Sequence, residues 1–283
     1  MAKDIAEIKA RRIAATRAEP VPRLRELYRK NERSIIGTSS VLIFLVLWEA
    51  FTRSGAISPI LLSSPLAVAR AGAAMIASGE IWNDLWVSGI EFFVGFALSV
   101  LLGIPLGLAV GWYRRLYFAV DPFLSALYAT PRVALLPLII IWLGIGIWSK
   151  VAIVFLGAFF PICVNTLSGV KTSEARLLRV ARSFGASELQ IFKSIVLPSS
   201  VPFILTGLRL GVGRALIGVV VGELYAATAG VGFMITVAGA TFQTDKVFVG
   251  IVILALFGVF CVELLTRLER RFETWRPKVG SAI

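Results

Sequence analysis

The sequence predicts an all-α, polytopic membrane protein with six transmembrane helices and both termini on the cytoplasmic side. Three observations carry that expectation. Hydrophobic residues fill 57% of the 283 positions and charged residues only 16%; that is more apolar surface than a soluble domain of this length can hide, so lipid is the main solvent. The apolar residues gather into long runs without alternation. In lipid such runs are helices, because a strand would leave an open edge with no hydrogen-bond partner. Finally, the basic residues behind the net charge of +12 are confined to particular segments, as in cytoplasmic loops rather than on a nucleic-acid surface.

The elements follow in order. Residues 1–34 read as a cytoplasmic tail containing Pro20 and Pro22, with an amphipathic stretch around Ile5 to Ala15. A solvated or lipid-surface tail is favoured there over a specific regulatory role. The first apolar run, Ile35 to Phe51, follows this charged stretch and precedes several more, so it is an uncleaved first span rather than a signal peptide. Crossing a hydrocarbon core of ~30 Å takes roughly 20 helical residues. Six segments qualify: about 35–52, 87–112, 117–143, 148–168, 199–222 and 247–265. Together they make one transmembrane domain over 35–268, followed by a cytoplasmic tail over 269–283.

Pro131 and Pro137 interrupt the third run and imply a kink or a buried interface. Only the Gly144-Ile145-Gly146 turn and Lys150 separate it from the fourth. The loop from Thr52 to Trp86 holds two Ser-Pro pairs, Ser58-Pro59 and Ser64-Pro65, and then Leu66 to Ser78, read as a turn and a short surface helix. Leu224 to Thr244 is nearly long enough to span, but counting it would put the C-terminal basic cluster outside. Its Gly230-Val231-Gly232 interruption suits two short helices dipping into the outer side.

Orientation comes from the basic residues between spans. With the N-terminus inside, cytoplasmic segments hold twenty-two of them, and the opposite side holds only Arg53, Arg70, Lys150 and Lys246. That asymmetry requires an even number of spans.

Catalytic chemistry is not expected in this chain. Histidine is absent, Cys163 and Cys261 lie inside apolar runs, and there is no CxxC, so no metal site, disulfide framework or Ser-His-Asp set can be argued. GxxxxGK[ST] does not occur, which removes an ATP site.

The segment from Lys171 to Pro198 carries the functional signal. A connector between spans needs only a few residues, whereas this loop over 171–198 contains two capped amphipathic helices. Ser173 is placed to cap the first, with Glu174 in its first turn and Gly185 at its left-handed end. Leu177, Ala181 and Phe184 form one apolar face, beside a basic stripe of Arg176, Arg179 and Arg182. Ser187 and Gln190 have capping-box spacing at the start of the second helix, Leu189, Phe192 and Val196 line its apolar face, and Pro198 can end it and open the fifth span. Exposed Phe184 and Phe192 want a partner surface; the alternative is a pair of helices that merely tie spans together.

At these residues the sequence resembles the binding-protein-dependent ABC importer permeases. Their loop follows the pattern E-A-A, three residues, G, nine residues, I-x-L-P, and Gly185, Ile195, Leu197 and Pro198 match it at the required spacing. Arg179, Val180 and Ala181 stand on the E-A-A positions, so an arginine replaces the glutamate and would want an acidic partner. Further stretches, including Ala129-Thr130-Pro131-Arg132, Gly207-Leu208-Arg209 and Gly222-Glu223-Leu224, resemble the nitrate, sulfonate, taurine and bicarbonate branch.

The resemblance implies the type I importer permease fold in the bacterial inner membrane. It also implies a second permease copy, two cytoplasmic ABC ATPase subunits carrying ATP and magnesium, and a periplasmic or lipid-anchored substrate-binding protein. The residues that would dock the ATPase are Arg179, Val180, Ala181, Phe184, Gly185, Ala186, Ile195, Leu197 and Pro198. A secondary transporter or channel is the alternative, and would be expected to show inverted repeats.

Ionisable residues at membrane depth are costly and mark candidate sites. Arg132, Arg209, Arg214 and Glu223 are the candidate pathway residues, with Glu49 and Glu91 at similar depth. Arginines facing a dimer axis would favour a small anion; the competing expectation is internal pairing, such as Arg209 or Arg214 with Glu91 or Glu223. Gly103, Gly107 and Gly111, each four apart, allow close helix approach, within one subunit or at a homodimer seam.

Overall fold

A computed structural model describes residues 23–272, and every described segment with regular structure is helical. The expected amphipathic stretch Ile5 to Ala15, and most of the two tails, lie outside the described residues. The chain divides into two units, the first ending at Ser58 and the second beginning at Pro59. In the first, α1 (Arg23–Arg53) contains the apolar segment Ser34–Arg53, whose large side chains from Val41 to Leu47, and Phe51, are exposed. Glu49 accepts from Arg53 one turn on, at 2.6 Å, which answers the charge of that carboxylate locally.

The second unit is built around α6 (Ile147–Lys171), most of whose residues are buried. It packs between α3 (Glu80–Trp112) and α9 (Leu197–Ala226). In lipid, apolar side chains gain no transfer energy by leaving one hydrocarbon for another, so close contact at small residues decides which helices associate. The glycines of α3 supply it. Gly95 faces Val154, Gly103 faces Ile162 and Gly111 faces Val170, a constant offset of 59 residues that marks two parallel helices in register. A Cβ on Gly107 would stand 2.6 Å from the Cys163 carbonyl oxygen. The expected seam is therefore inside the subunit. On the opposite flank, Gly157 and Gly218 let α6 and α9 touch backbone to backbone.

Among the described residues, five helices are long and apolar enough to cross a membrane, or six where a bent pair counts as one span. The pair is α4 (Arg114–Ala129) and α5 (Leu136–Leu143), joined through Thr130, Pro131 and a 3-10 turn at Arg132–Leu135, with a bend of 92°. The interruption expected at Pro131, as a kink or a buried interface, is a sharp turn of the chain, since the ring disfavours helical geometry at Thr130, whose ψ is 132°. Gly144, at φ 78°, turns the chain from α5 into α6.

Three expectations need correction. The short helix α2 (Pro65–Ser78), capped by Ser64 through the Ala67 N–H at 3.3 Å, is not simply superficial: Val68 and Met75 are buried with Met234 and Val249. The region from Leu224 to Thr244 holds one short helix, α10 (Val231–Ala240), not two. Nothing between Gly222 and Ala226 breaks a helix, so α9 runs past the expected end, and the Gly230 break starts a helix instead of dividing one. Last, α11 (Thr244–Phe272) extends through Glu269, a residue assigned by sequence to the C-terminal tail.

Candidate functional site

Two regions hold most of the residues singled out by sequence. The first is the loop beyond α6. Its first helix, α7 (Ala175–Ser183), starts one residue later than expected: Glu174, not Ser173, occupies the cap position and makes no side-chain cap bond. The end is as expected. Gly185 adopts φ 75°, its N–H bonds to the Arg182 carbonyl at 3.0 Å, and the Ala186 N–H reaches the Ala181 carbonyl at 3.1 Å. This pair of bonds is the Schellman closure, which satisfies carbonyls that a helix end would leave bare.

The next helix, α8 (Glu188–Ile191), carries the full capping box. Ser187 Oγ accepts from the Gln190 N–H at 3.3 Å, and Gln190 Oε1 accepts from the Ser187 N–H at 2.8 Å. Arg182 donates to Glu188 at 3.1 Å across the joint. Only Ala186 and Ser187 separate the left-handed Gly185 from α8, so the two helices meet at a fixed corner.

From Ile191 the chain continues through a π turn, Phe192–Val196, directly into α9. Pro198 sits in the first turn of α9, as expected, but the chain does not break before it: its ring and missing N–H conflict with α-helical bonding to Ser194, and the wider π turn just before it accommodates that conflict.

The loop's apolar residues divide differently from the expected faces. Leu178 and Ala181 turn inward onto a cluster of Val170, Ile191 and Val196, where Phe192 stacks edge-on against Trp112 at 5.4 Å. Ile195 joins the same cluster, and Leu197 is half-buried beside it. Phe184 does not share the Ala181 face. Together with Leu177, Val180 and Leu189 it points outward, with exposures of 86%, 50%, 47% and 61% respectively. Arg176, Arg179 and Arg182 are exposed among them.

The second region is a cavity of about 350 Å³ lined by the Tyr128 to Val133 bend and by α6 and α9, with Arg132 and Arg214 in its wall. Arg132 lies over the rings of Tyr128 and Phe160, 5.4 Å from each centroid. Its Nε is buried and has no hydrogen-bond partner among the described residues. Neither Arg132 nor Arg214 forms an ion pair among the described residues. Gly157 and Gly218, which bring α6 against α9, line the same cavity, so the close helix contact is what sets Arg214 at its edge.

The other two candidates lie elsewhere. Arg209 pairs with Glu269 of α11. Glu223 is fully buried and serves α10: it accepts from Ser88 Oγ at 2.5 Å and from the Gly232 N–H at 2.6 Å, while Ser88 Oγ accepts from the Val231 N–H and Asp84 from the Gly230 N–H, each at 2.8 Å. Three N–H groups that a helix start leaves unbonded are thus answered by side chains of α3 and α9. Internal pairing therefore holds for Arg209, though with Glu269 rather than with Glu91 or Glu223.

Glu91 pairs with Lys150, which sequence had placed in an outer loop. Both are buried. The signal was available in the glycines of α3: the 59-residue register that sets Gly95 against Val154 sets Glu91 against Lys150 one turn earlier.

Comparison with known proteins adds the following. Residues 99–274 match the family described as "Binding-protein-dependent transport system inner membrane component". The chain is similar to the taurine transport system permease protein TauC of Escherichia coli (strain K12), with 37% identity over 86% of this chain and 90% of the relative. It is similar also to the formylaminopyrimidine transport permease protein ThiX of Halalkalibacterium halodurans, with 34% identity over 88% and 99%. Among solved structures, an inward-facing MetNI methionine ABC transporter chain aligns with a TM-score of 0.59 at 18% identity, covering 67% of this chain and 94% of that one, which bears on the fold alone.

Proposed function

Since this chain belongs to the family of binding-protein-dependent transport system inner membrane components, multi-pass proteins of the bacterial inner membrane, we propose that it is the permease subunit of an ATP-driven importer, coupled to its ATPase through the 171–198 loop. The observation that carries this reading is the outward face of that loop. Four apolar side chains, Leu177, Val180, Phe184 and Leu189, stand exposed on two short helices closed by a Schellman turn and a capping box. An apolar patch of this kind marks a surface made for a partner. A stiff corner passes displacement to α9, into which α8 runs without a break, better than a flexible loop would.

On this reading two cytoplasmic ATPase subunits bind ATP and magnesium, a second permease copy completes the pathway, and a binding protein delivers the solute. Arg179, exposed where the family pattern has glutamate, meets an acidic group of the ATPase. The loop side is cytoplasmic, in keeping with the distribution of basic residues.

The solute is a small anion, sulfonate-like in the first instance. Arg132 and Arg214 at the cavity, without carboxylate partners among the described residues, support that class, and taurine, after which one relative is named, carries a sulfonate.

Co-expression with the ATPase provides the test. Phe184→Asp leaves the folded loop intact, since the ring touches little, and is expected to abolish co-purification of the ATPase. Unchanged co-purification, or transport by this chain alone without ATP, would overturn the proposal.

A further inference from the structure

At the end of α3, two neighbouring cavities share three lining residues. One, of about 410 Å³, is walled by Arg114, Arg115 and Arg182, with Glu188 beside them. The other, of about 540 Å³, is lined by Pro105, Leu108 and Ala109 of α3 and by Leu189 and Phe192. Trp112, Tyr113 and Glu188 belong to both, so a basic mouth adjoins an apolar groove. The groove follows α3 from Trp112 back to Pro105, about 10 Å of helix rise, and therefore lies along a membrane span.

We propose that this composite cavity is a binding site for an anionic phospholipid, whose phosphate sits among Arg114, Arg115 and Arg182 and whose acyl chain lies against Leu108 and Phe192. Three features fix that occupant. The wall of the groove from Pro105 to Ala109 belongs to a span, at a depth reached by hydrocarbon rather than by a soluble protein. Trp112 and Tyr113 stand where the span ends, the level at which such rings meet headgroups. The mouth carries three guanidiniums against one carboxylate, and Glu188 is already engaged by Arg182 at 3.1 Å, which leaves Arg114 and Arg115 for a phosphate.

The site joins four parts of the protein: the end of α3 with its turn into α4, α7 through Arg182, α8 through Glu188 and Leu189, and the π turn through Phe192. A bound lipid braces the loop corner against the membrane boundary, so the anionic lipid content of the bilayer acts on the same loop that we propose couples to the ATPase.

The test is native mass spectrometry of the full chain purified in detergent, titrated with phosphatidylglycerol and with phosphatidylcholine of identical acyl chains. Wild type is expected to prefer phosphatidylglycerol by about tenfold. R114Q/R115Q should bring that ratio close to one, and Leu108→Trp, which fills the groove, should weaken both lipids alike. Should the double variant fail to purify, R115Q alone must lower the ratio in the same direction.

An unchanged ratio in the arginine variants overturns the site. So does displacement of phosphatidylglycerol by millimolar inorganic phosphate, which would reveal an anion site indifferent to lipid. Loss of ATPase co-purification in R114Q/R115Q with the lipid preference intact would instead make the mouth a protein interface.

Discussion

Lys150 Nζ stands 3.0 Å from Glu91 Oε1, with both side chains buried between α3 and α6. Two charges removed from water are costly, and each is tolerable only while the other is present. Lys150→Met therefore strands the carboxylate and is expected to cost about 3–5 kcal/mol of stability. Glu91→Leu combined with Lys150→Met removes both charges and should recover most of that loss. Thermal unfolding of the purified chain, with Glu91→Leu alone as the third variant, measures it; a double-variant loss equal to the sum of the two single losses would mean that the pair is not coupled.

The glycine seam makes a sharper contrast. Gly107 and Gly89 both lie in α3, but a Cβ at Gly107 would meet the Cys163 carbonyl oxygen at 2.6 Å, and one at Gly89 would meet nothing within 4 Å. Gly107→Ala must push α3 off α6, at about 1–3 kcal/mol. Gly89→Ala removes backbone freedom without a clash and is expected to raise stability slightly. Unfolding temperatures that move in opposite directions would bear this out; a fall in both would not.

The fold was legible because lipid makes each span self-sufficient in hydrogen bonds and writes it as one apolar run, so α1, α3, α6, α9 and α11 could be placed without knowing their neighbours. Caps are similarly local: Ser187 with Gln190, and Gly185 at its left-handed position, depend on a few adjacent residues. Tertiary geometry decides what was missed. Whether Pro131 turns the chain by 92° depends on what the two halves pack against, and the partner of Arg209 is sixty positions away on α11. The division between an inward Ala181 on α7 and an outward Phe184 at its C-cap follows from where α8 and Val170 lie, since both residues suit either face.

Arg132 and Arg214 share a cavity; Arg209 is paired with Glu269. If the cavity is the anion pathway, R132Q and R214Q should each lower uptake of an anionic solute by about tenfold or more, the worth of one well-placed charged contact. Assembly should be unaffected, because neither arginine answers a carboxylate among the described residues. R209Q, which frees Glu269, should act on stability more than on uptake. Radiolabelled uptake in reconstituted vesicles separates them, and normal transport in both cavity variants would end the anion assignment.

Coupling through the loop makes a demand on Ser187. Its side chain is exposed and its hydroxyl serves the cap: it accepts from the Gln190 N–H, while Gln190 holds the Ser187 N–H in return. Ser187→Ala breaks that reciprocity at about 1 kcal/mol, enough to raise amide exchange in α8 by about fivefold where opening is local. Ser187→Asp, which also accepts at a helix start, should restore protection. If the corner transmits force, solute-stimulated ATP hydrolysis must fall in the alanine variant and return in the aspartate variant, while basal hydrolysis and ATPase co-purification stay constant. Faster exchange in α8 with stimulation unchanged would show that the corner's stiffness plays no part in coupling, and the docking surface alone would then have to account for it.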